Sequence, residues 1–266
     1  MRKLCLDFLT AQEVPAPRLI ELAAEYGCSH VGLMVHPMRP FPFYDLLRDT
    51  KARRETRNRC ADLGIKVDVT DAFNIQAETD PEVFRQAMES SAYLGAEWIN
   101  IIARDPDESR LLNTFGDTCE MAKEYGLKVL SEFSRRFAHD SLDTTVRFLK
   151  KLGNPDARVT FDTMHFFRNS GTIENMKQHL DWIGRVQLCD GAGDLPPEEQ
   201  LMEARTRRLP PGEGIFPLQE VVTAMPRHVV IGVEVPNNTM TYQERIKRSV
   251  SRTRAMFEQA ERQQGK

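Results

Sequence analysis

The chain has no long apolar run, no Cys-x-x-Cys pair, only two tryptophans and no surplus of positive charge. Each lack removes a class of function. No stretch nears the ~20 consecutive apolar residues of a membrane helix, so no membrane partner is expected. A net charge of −3 leaves no basic excess to grip a nucleic-acid backbone, and nucleic acid is not expected either. The five cysteines (Cys5, Cys28, Cys60, Cys119, Cys189) are odd in number and far apart. They cannot all pair within one chain, they lack zinc-knuckle spacing, and they read as reduced thiols of a cytoplasmic protein. The start, Met1-Arg-Lys-Leu-Cys-Leu-Asp, turns polar too soon for a secretory signal.

What is there is an alternation. At 41% hydrophobic and 28% charged, the 266 residues have an ordinary globular composition. Short β-rich runs alternate with helical stretches eight times. A helix end, a glycine and an apolar run recur at Glu25-Tyr-Gly27, Asp62-Leu-Gly64, Tyr93-Leu-Gly95 and Glu124-Tyr-Gly126. That repetition marks a parallel βα series. Eight units in this length predict an α/β (β/α)8 barrel, with residues 1–266 forming a single domain.

Four predicted strands end in an oxygen side chain: Leu127–Glu132, Arg158–Asp162, Gly184–Gln187 and Val229–Glu234. In a parallel barrel these ends share the carboxyl face, where barrel enzymes hold their chemistry. Glu132, Asp162, Gln187 and Glu234 would then converge, and three carboxylates at one point call for a cation. Oxygen donors alone favour Mg²⁺ or Mn²⁺, with Co²⁺ or Zn²⁺ as lesser fits. The alternative for any single carboxylate is a helix cap or an arginine partner.

The motifs Ser131-Glu-Phe133, Asp162-Thr-Met-His165, Gln187-Leu-Cys-Asp190, Arg208-Leu-Pro-Pro-Gly-Glu-Gly214 and Val233-Glu-Val235 together resemble the xylose isomerase-like barrel superfamily. That group includes sugar phosphate isomerase/epimerase-type proteins, ketose 3-epimerases, and inosose and 3-dehydroshikimate dehydratases. The resemblance implies that Glu132, Asp162, Gln187 and Glu234 hold the metal. It implies that Glu132 and Glu234 act as acid and base, with His165 beside them. It makes Arg208 and Arg205 substrate-binding residues, and a small carbohydrate or keto-acid the substrate. Most epimerases of the group carry His where Gln187 stands, and Gln187 is similar to the dehydratases. No histidine lies near the end of the third strand, where those dehydratases place their base. The local residues are Asp68, Asp71 and Asn74.

The expected reaction is therefore proton removal beside a metal-polarised carbonyl, giving isomerisation or epimerisation, with dehydration of a cyclic keto-polyol as the alternative. A nuclease on the related endonuclease IV barrel would need more histidines than the six here, differently spaced. A metabolite-sensing barrel without catalysis is the third class. His36, after the second strand, could enter the pocket as a substrate ligand. Phe41, Phe43 and Tyr44 could wall it, Asp190 could orient Arg208, and the Gly212–Gly214 turn could take a phosphate. Barrels of this kind often pair, which leaves a homodimer open.

Overall fold

Eight parallel strands pair in sequence order and close on themselves. They are β1 (Leu4–Asp7), β2 (His30–Met34), β3 (Lys66–Ile75), β4 (Trp98–Ala103), β5 (Lys128–Glu132), β6 (Ala157–Asp162), β7 (Ile183–Leu188) and β8 (Val230–Val233). The computed structural model describes residues 2–37, 44–193 and 195–264. The register of β1 against β8, Leu4 opposite Ile231 and Leu6 opposite Val233, completes the barrel. Outside it run α1 (Ala16–Glu25), α2 (Thr50–Leu63), α3 (Arg85–Leu94), α4 (Glu108–Glu124), α5 (Leu142–Leu152), α6 (Thr163–Arg168), α7 (Ile173–Lys177), α8 (Pro197–Thr206), α9 (Leu218–Ala224) and α10 (Tyr242–Gln264).

The predicted (β/α)8 barrel is thus the observed fold. The four recurring glycines take positive φ values of 73°, 65°, 79° and 69°, which lets each helix stop and the chain turn into the next strand. All five cysteines are unpaired and buried. No helix among the described residues is long and apolar enough to cross a membrane.

Three elements differ from the sequence expectation. The sequence reads the third strand as Ile65–Val69, whereas β3 runs on to Ile75; its polar residues Asp68, Asp71 and Asn74 break the apolar pattern that would have shown its length. Helix α6 follows Asp162 directly and is too short to show a period. Helix α8 lies inside residues 190–214, which the sequence reads as the longest loop. It buries little besides Glu203, so there was no apolar stripe to read.

The barrel interior is not wholly apolar. Fully buried Arg185 donates from Nε to Asp68 Oδ2 at 2.9 Å and from Nη2 to Asp7 Oδ1 at 2.7 Å. Gly32 and Gly232 make room for this pair. A Cβ on Gly232 would come 2.3 Å from Asp7 Oδ2 and 2.7 Å from the Arg185 guanidinium. Gly232→Ala should therefore cost about 2 kcal/mol or more, read as a lower urea midpoint at unchanged slope.

A second stability prediction concerns His139, in the segment after β5. Its ring packs 4.2 Å from that of Phe148, its Nδ1 has no partner, and burial pushes its pKa down to about 4. The unfolded imidazole titrates near ~6.5, so the unfolded chain takes the proton first. The stability gained from keeping this ring neutral is complete above that pH. It falls away as the pH drops toward 4, by up to roughly 3 kcal/mol. His139→Phe should flatten the loss seen in urea unfolding between pH 7 and pH 5.

Candidate active site at the carboxyl end of the strands

The register that closes the barrel brings the strand-end side chains together. Glu132 ends β5, Asp162 ends β6, Gln187 lies near the end of β7, and Glu234 directly follows β8. All four are buried. The backbone N–H of Glu234 donates to Leu188 O at 3.2 Å, so the ladder extends one residue beyond β8 and fixes that carboxylate.

Asp162 has two tasks. Its Oδ1 caps α6, accepting from Met164 N–H at 2.7 Å and His165 N–H at 3.2 Å. Its Oδ2 turns inward, where Arg208 Nη1 donates at 2.8 Å. The same Nη1 stands 3.1 Å from Glu234 Oε2. Gln187 Nε2 donates to Glu234 Oε1 at 2.8 Å, while Gln187 Oε1 is buried without a partner. His165 Nε2 lies 3.6 Å from Glu132 Oε1 and 3.9 Å from Asp162 Oδ2. The capping and arginine-pairing alternatives thus both apply to Asp162, and both leave it facing the shared centre.

The electrostatics follow from this crowding. Burial, reinforced by the charges of Asp162 and Asp71, pushes the Glu132 carboxyl up to about 8. Burial likewise raises Glu234 well above the usual carboxylate range and Asp71 to about 6. Burial opposes the charge on Asp162 too, but Arg208 overrides it and holds this group below its ordinary value. Burial lowers the His165 pKa, which favours a neutral ring.

Two donor sets share this centre. Glu132, Asp162 and His165 place ligand atoms within 4.8 Å of one another. The set expected from sequence adds Gln187 and Glu234, with the Arg208 guanidinium lying between Asp162 and Glu234. An excess of carboxylates and an orphaned amide oxygen fit a hard divalent cation.

Above these groups opens a cleft of about 180 Å³ that includes Phe8, Asp71, Arg104, Ser134, Phe137 and Arg205 in its lining. That is below the ~300–1,000 Å³ of drug-sized sites and suits a small substrate. Arg208 and Arg205 both line it, as does His165. His36 does not: its ring packs edge-on against Phe84, with the centroids 6.2 Å apart. Tyr44 belongs to a separate apolar pocket with Phe8 and Leu19. Phe41 and Phe43 lie outside the described residues.

Asp190 has a different task from the one expected. Its carboxylate accepts from the N–H groups of Gly191, Phe216 and Gly212 at 2.9, 3.0 and 2.9 Å. It therefore fills the turn that sequence offered to a phosphate, taking the Gly212 donor for itself. Its backbone also pairs with Leu209 in both directions. Asp190 fixes the chain beside Arg208 and does not touch the guanidinium.

Asn100 on β4 was missed. Its Nδ2 donates to both Asp71 Oδ1 and Glu132 Oε2, each at 2.8 Å, and its Oδ1 accepts from Thr160 at 2.8 Å. The signal was present: one amide inside the apolar run Trp98-Ile-Asn-Ile-Ile-Ala103 of a strand buried on both faces.

The family model for the xylose isomerase-like TIM barrel matches residues 20–256. The chain belongs to that family. No curated protein matches the chain by sequence. Among solved structures, the IolI protein with a bound zinc atom superposes with a TM-score of 0.79 at 17% identity, covering 97% of this chain and 99% of that one. A protein described as the probable 3-DHS dehydratase AsbF of Bacillus anthracis gives 0.80 at 14% identity, covering 95% and 98%. An L-ribulose 3-epimerase gives 0.76 at 14% identity, covering 100% and 97%. At such identities these likenesses concern the fold.

Asn100→Ala should leave two buried carboxyls without their shared donor. The expected loss is about 1–3 kcal/mol of stability in denaturant unfolding. Asn100→Asp should be no better, since it adds a further buried acid.

Proposed function

We propose that the protein is a divalent-metal-dependent isomerase or epimerase of a small sugar or hydroxy-ketone, acting by proton removal next to a carbonyl. The observation that carries this reading is the meeting of Glu132, Asp162, Gln187 and Glu234 at the barrel mouth with His165 beside them. Glu132, Asp162, Gln187 and Glu234 would hold the ion, with His165 as a further donor within reach. The bound ion would supply positive charge to the oxygen that becomes anionic when the neighbouring C–H loses its proton.

The chain's own groups divide the remaining work. Glu132 and Glu234 rise from strands on different sides of the mouth and can address opposite faces of a substrate. One takes the proton and the other returns it. Asn100 keeps Glu132 aimed by holding Oε2. Neutral His165 can donate or accept at a substrate hydroxyl next to Glu132. Phe8, Leu9, Ile102, Phe137 and Leu201 supply apolar walls that limit water around the anion.

A dehydratase of a cyclic keto-polyol, of the 3-dehydroshikimate or inosose type, is the second reading. Two observations favour it. Gln187 lines the cleft where most epimerases of the family carry His, and Asp71 lines it at the third strand, where a base is wanted.

Proton NMR in D₂O with a ketose, inosose and 3-dehydroshikimate panel separates the two. Solvent deuterium entering product without loss of water supports the isomerase, and loss of water supports the dehydratase. Metal analysis of the purified protein should find about one divalent ion per chain. Glu132→Gln and Glu234→Gln should each lower turnover by about 10²- to 10⁴-fold. A protein that takes up no divalent ion and exchanges no substrate proton would overturn both readings.

A further inference from the structure

The cleft is charged in two layers. Its floor carries Asp71, Glu132 and Glu234, with Arg208 paired to Glu234, and its rim carries Arg104, Arg136 and Arg205. The rim arginines come from three separate segments. Arg104 directly follows β4, Arg136 lies between β5 and α5, and Arg205 sits in the last turn of α8. All three are exposed at the mouth, and among the described residues none has an acidic partner within ion-pair distance.

Other arginines near the mouth have acidic partners. Arg110 pairs with Asp105 at 2.7 Å, Arg168 with Glu203 at 2.6 Å, and Arg207 with Glu199 at 4.0 Å. Arg104 is held by other means. It donates to Asn74 Oδ1 at 3.3 Å, and its guanidinium lies 4.6 Å from the ring centroid of Phe137. Phe137 in turn meets His165 edge-on at 6.2 Å. Stacking fixes the plane of Arg104 and leaves it without a direct ion pair beside the reacting groups. Burial lowers the Arg104 pKa, the charge of Glu132 offsets part of this, and the nearby charges of Arg136 and Arg205 lower it further. Three like charges held around one small opening favour an incoming anion, and guanidinium groups match the geometry of a carboxylate or phosphate.

We infer that the substrate carries an oxyanion, a carboxylate or a phosphate ester, which Arg104, Arg136 and Arg205 receive at the rim while its hydroxy-carbonyl end reaches Glu132 and His165. This inference rests on reading the cleft as the active site, and it narrows the substrate from sugars in general to sugar acids or sugar phosphates. A free neutral sugar would leave the rim charges unmatched.

Calorimetric titration of the purified protein at constant ionic strength tests it. The probes are inorganic phosphate, D-gluconate and uncharged D-glucitol. At least one of the two anions should bind, and glucitol should not bind over the same range. Tighter binding of phosphate assigns a phosphate ester, and tighter binding of gluconate assigns an acid. Arg104→Gln, Arg136→Gln and Arg205→Gln should each weaken anion binding by about threefold to tenfold, with larger loss in the triple variant. Arg262→Gln, on the far helix α10, should bind like the parent. Thermal melts confirm that the exposed substitutions leave the fold intact.

Equal binding of glucitol, binding of neither anion, or rim variants that bind like the parent would overturn the inference. The readout is heat, so it does not depend on turnover. Anion binding lost in the rim variants, without deuterium exchange on any substrate, would count against the catalytic reading alone. Exchange on a neutral ketose without anion binding would count against this inference alone.

Discussion

Asp7, Asp68, Asp71, Glu132, Asp162 and Glu234 are all buried within one barrel, and the guanidinium groups that face them are those of Arg185 and Arg208. Ionising every carboxyl would leave a net negative charge in a medium that screens poorly, which a fold cannot sustain. The excess must be met by protons, by a bound cation, or by both. The raised carboxyl pKa values of Glu132, Glu234 and Asp71 express the proton answer. The orphaned oxygen of Gln187 and the donor atoms grouped around Glu132 express the cation answer. A centre balanced between the two is suited to move protons, because neither charge state is remote in energy.

Arg208 shows how tightly the balance is drawn. Its Nε donates to Ala204 O at 2.8 Å, at the end of α8, while Nη1 serves Asp162 and Glu234. Helix α8 is therefore tied to the floor of the site through one side chain. The Asp190 carboxylate braces the following turn, and Asn237 Nδ2 holds Arg208 O at 2.8 Å. The long segment after β7 looks irregular in sequence, yet its role is definite: it delivers one cation to the floor through Arg208 and another to the rim through Arg205.

How much of this could be read in advance depends on where each side chain stands. The barrel was legible because its strands are apolar on both faces and its helices end in glycine, two signals that repeat. The convergence of Glu132, Asp162, Gln187 and Glu234 at one end of the barrel was legible because each stands at or beside the end of a β-rich run. Asn100, Asp68 and Arg185 were harder, since each sits inside a strand, where a lone polar residue looks like an interruption. Helix α8 lacked an apolar stripe altogether. His36 was drawn toward the site by its place after β2, but position after a strand does not set the direction of a ring, and the contact with Phe84 decides it. Of the rim, Arg205 was named in advance through the family resemblance, whereas Arg104 and Arg136 could not be read. Arg104, Arg136 and Arg205 are separated by dozens of residues, and the chain is rich in arginine elsewhere.

The division between floor and rim has a consequence for how such a site can vary. Floor groups are carried on strands whose register is fixed by the neighbours on both sides, so Glu132 cannot shift without dragging β4 and β6 with it. Rim groups are carried on the segments that follow the strands, where a change of side chain disturbs no ladder. On the proposed reading, the proton-transfer groups are thereby carried separately from the groups that would choose the substrate. Phe137 is the exception, because its ring touches both Arg104 and His165. A change that repositions this ring would therefore disturb the setting of Arg104 and of His165 together, so on the proposed reading this contact couples anion recognition to proton transfer.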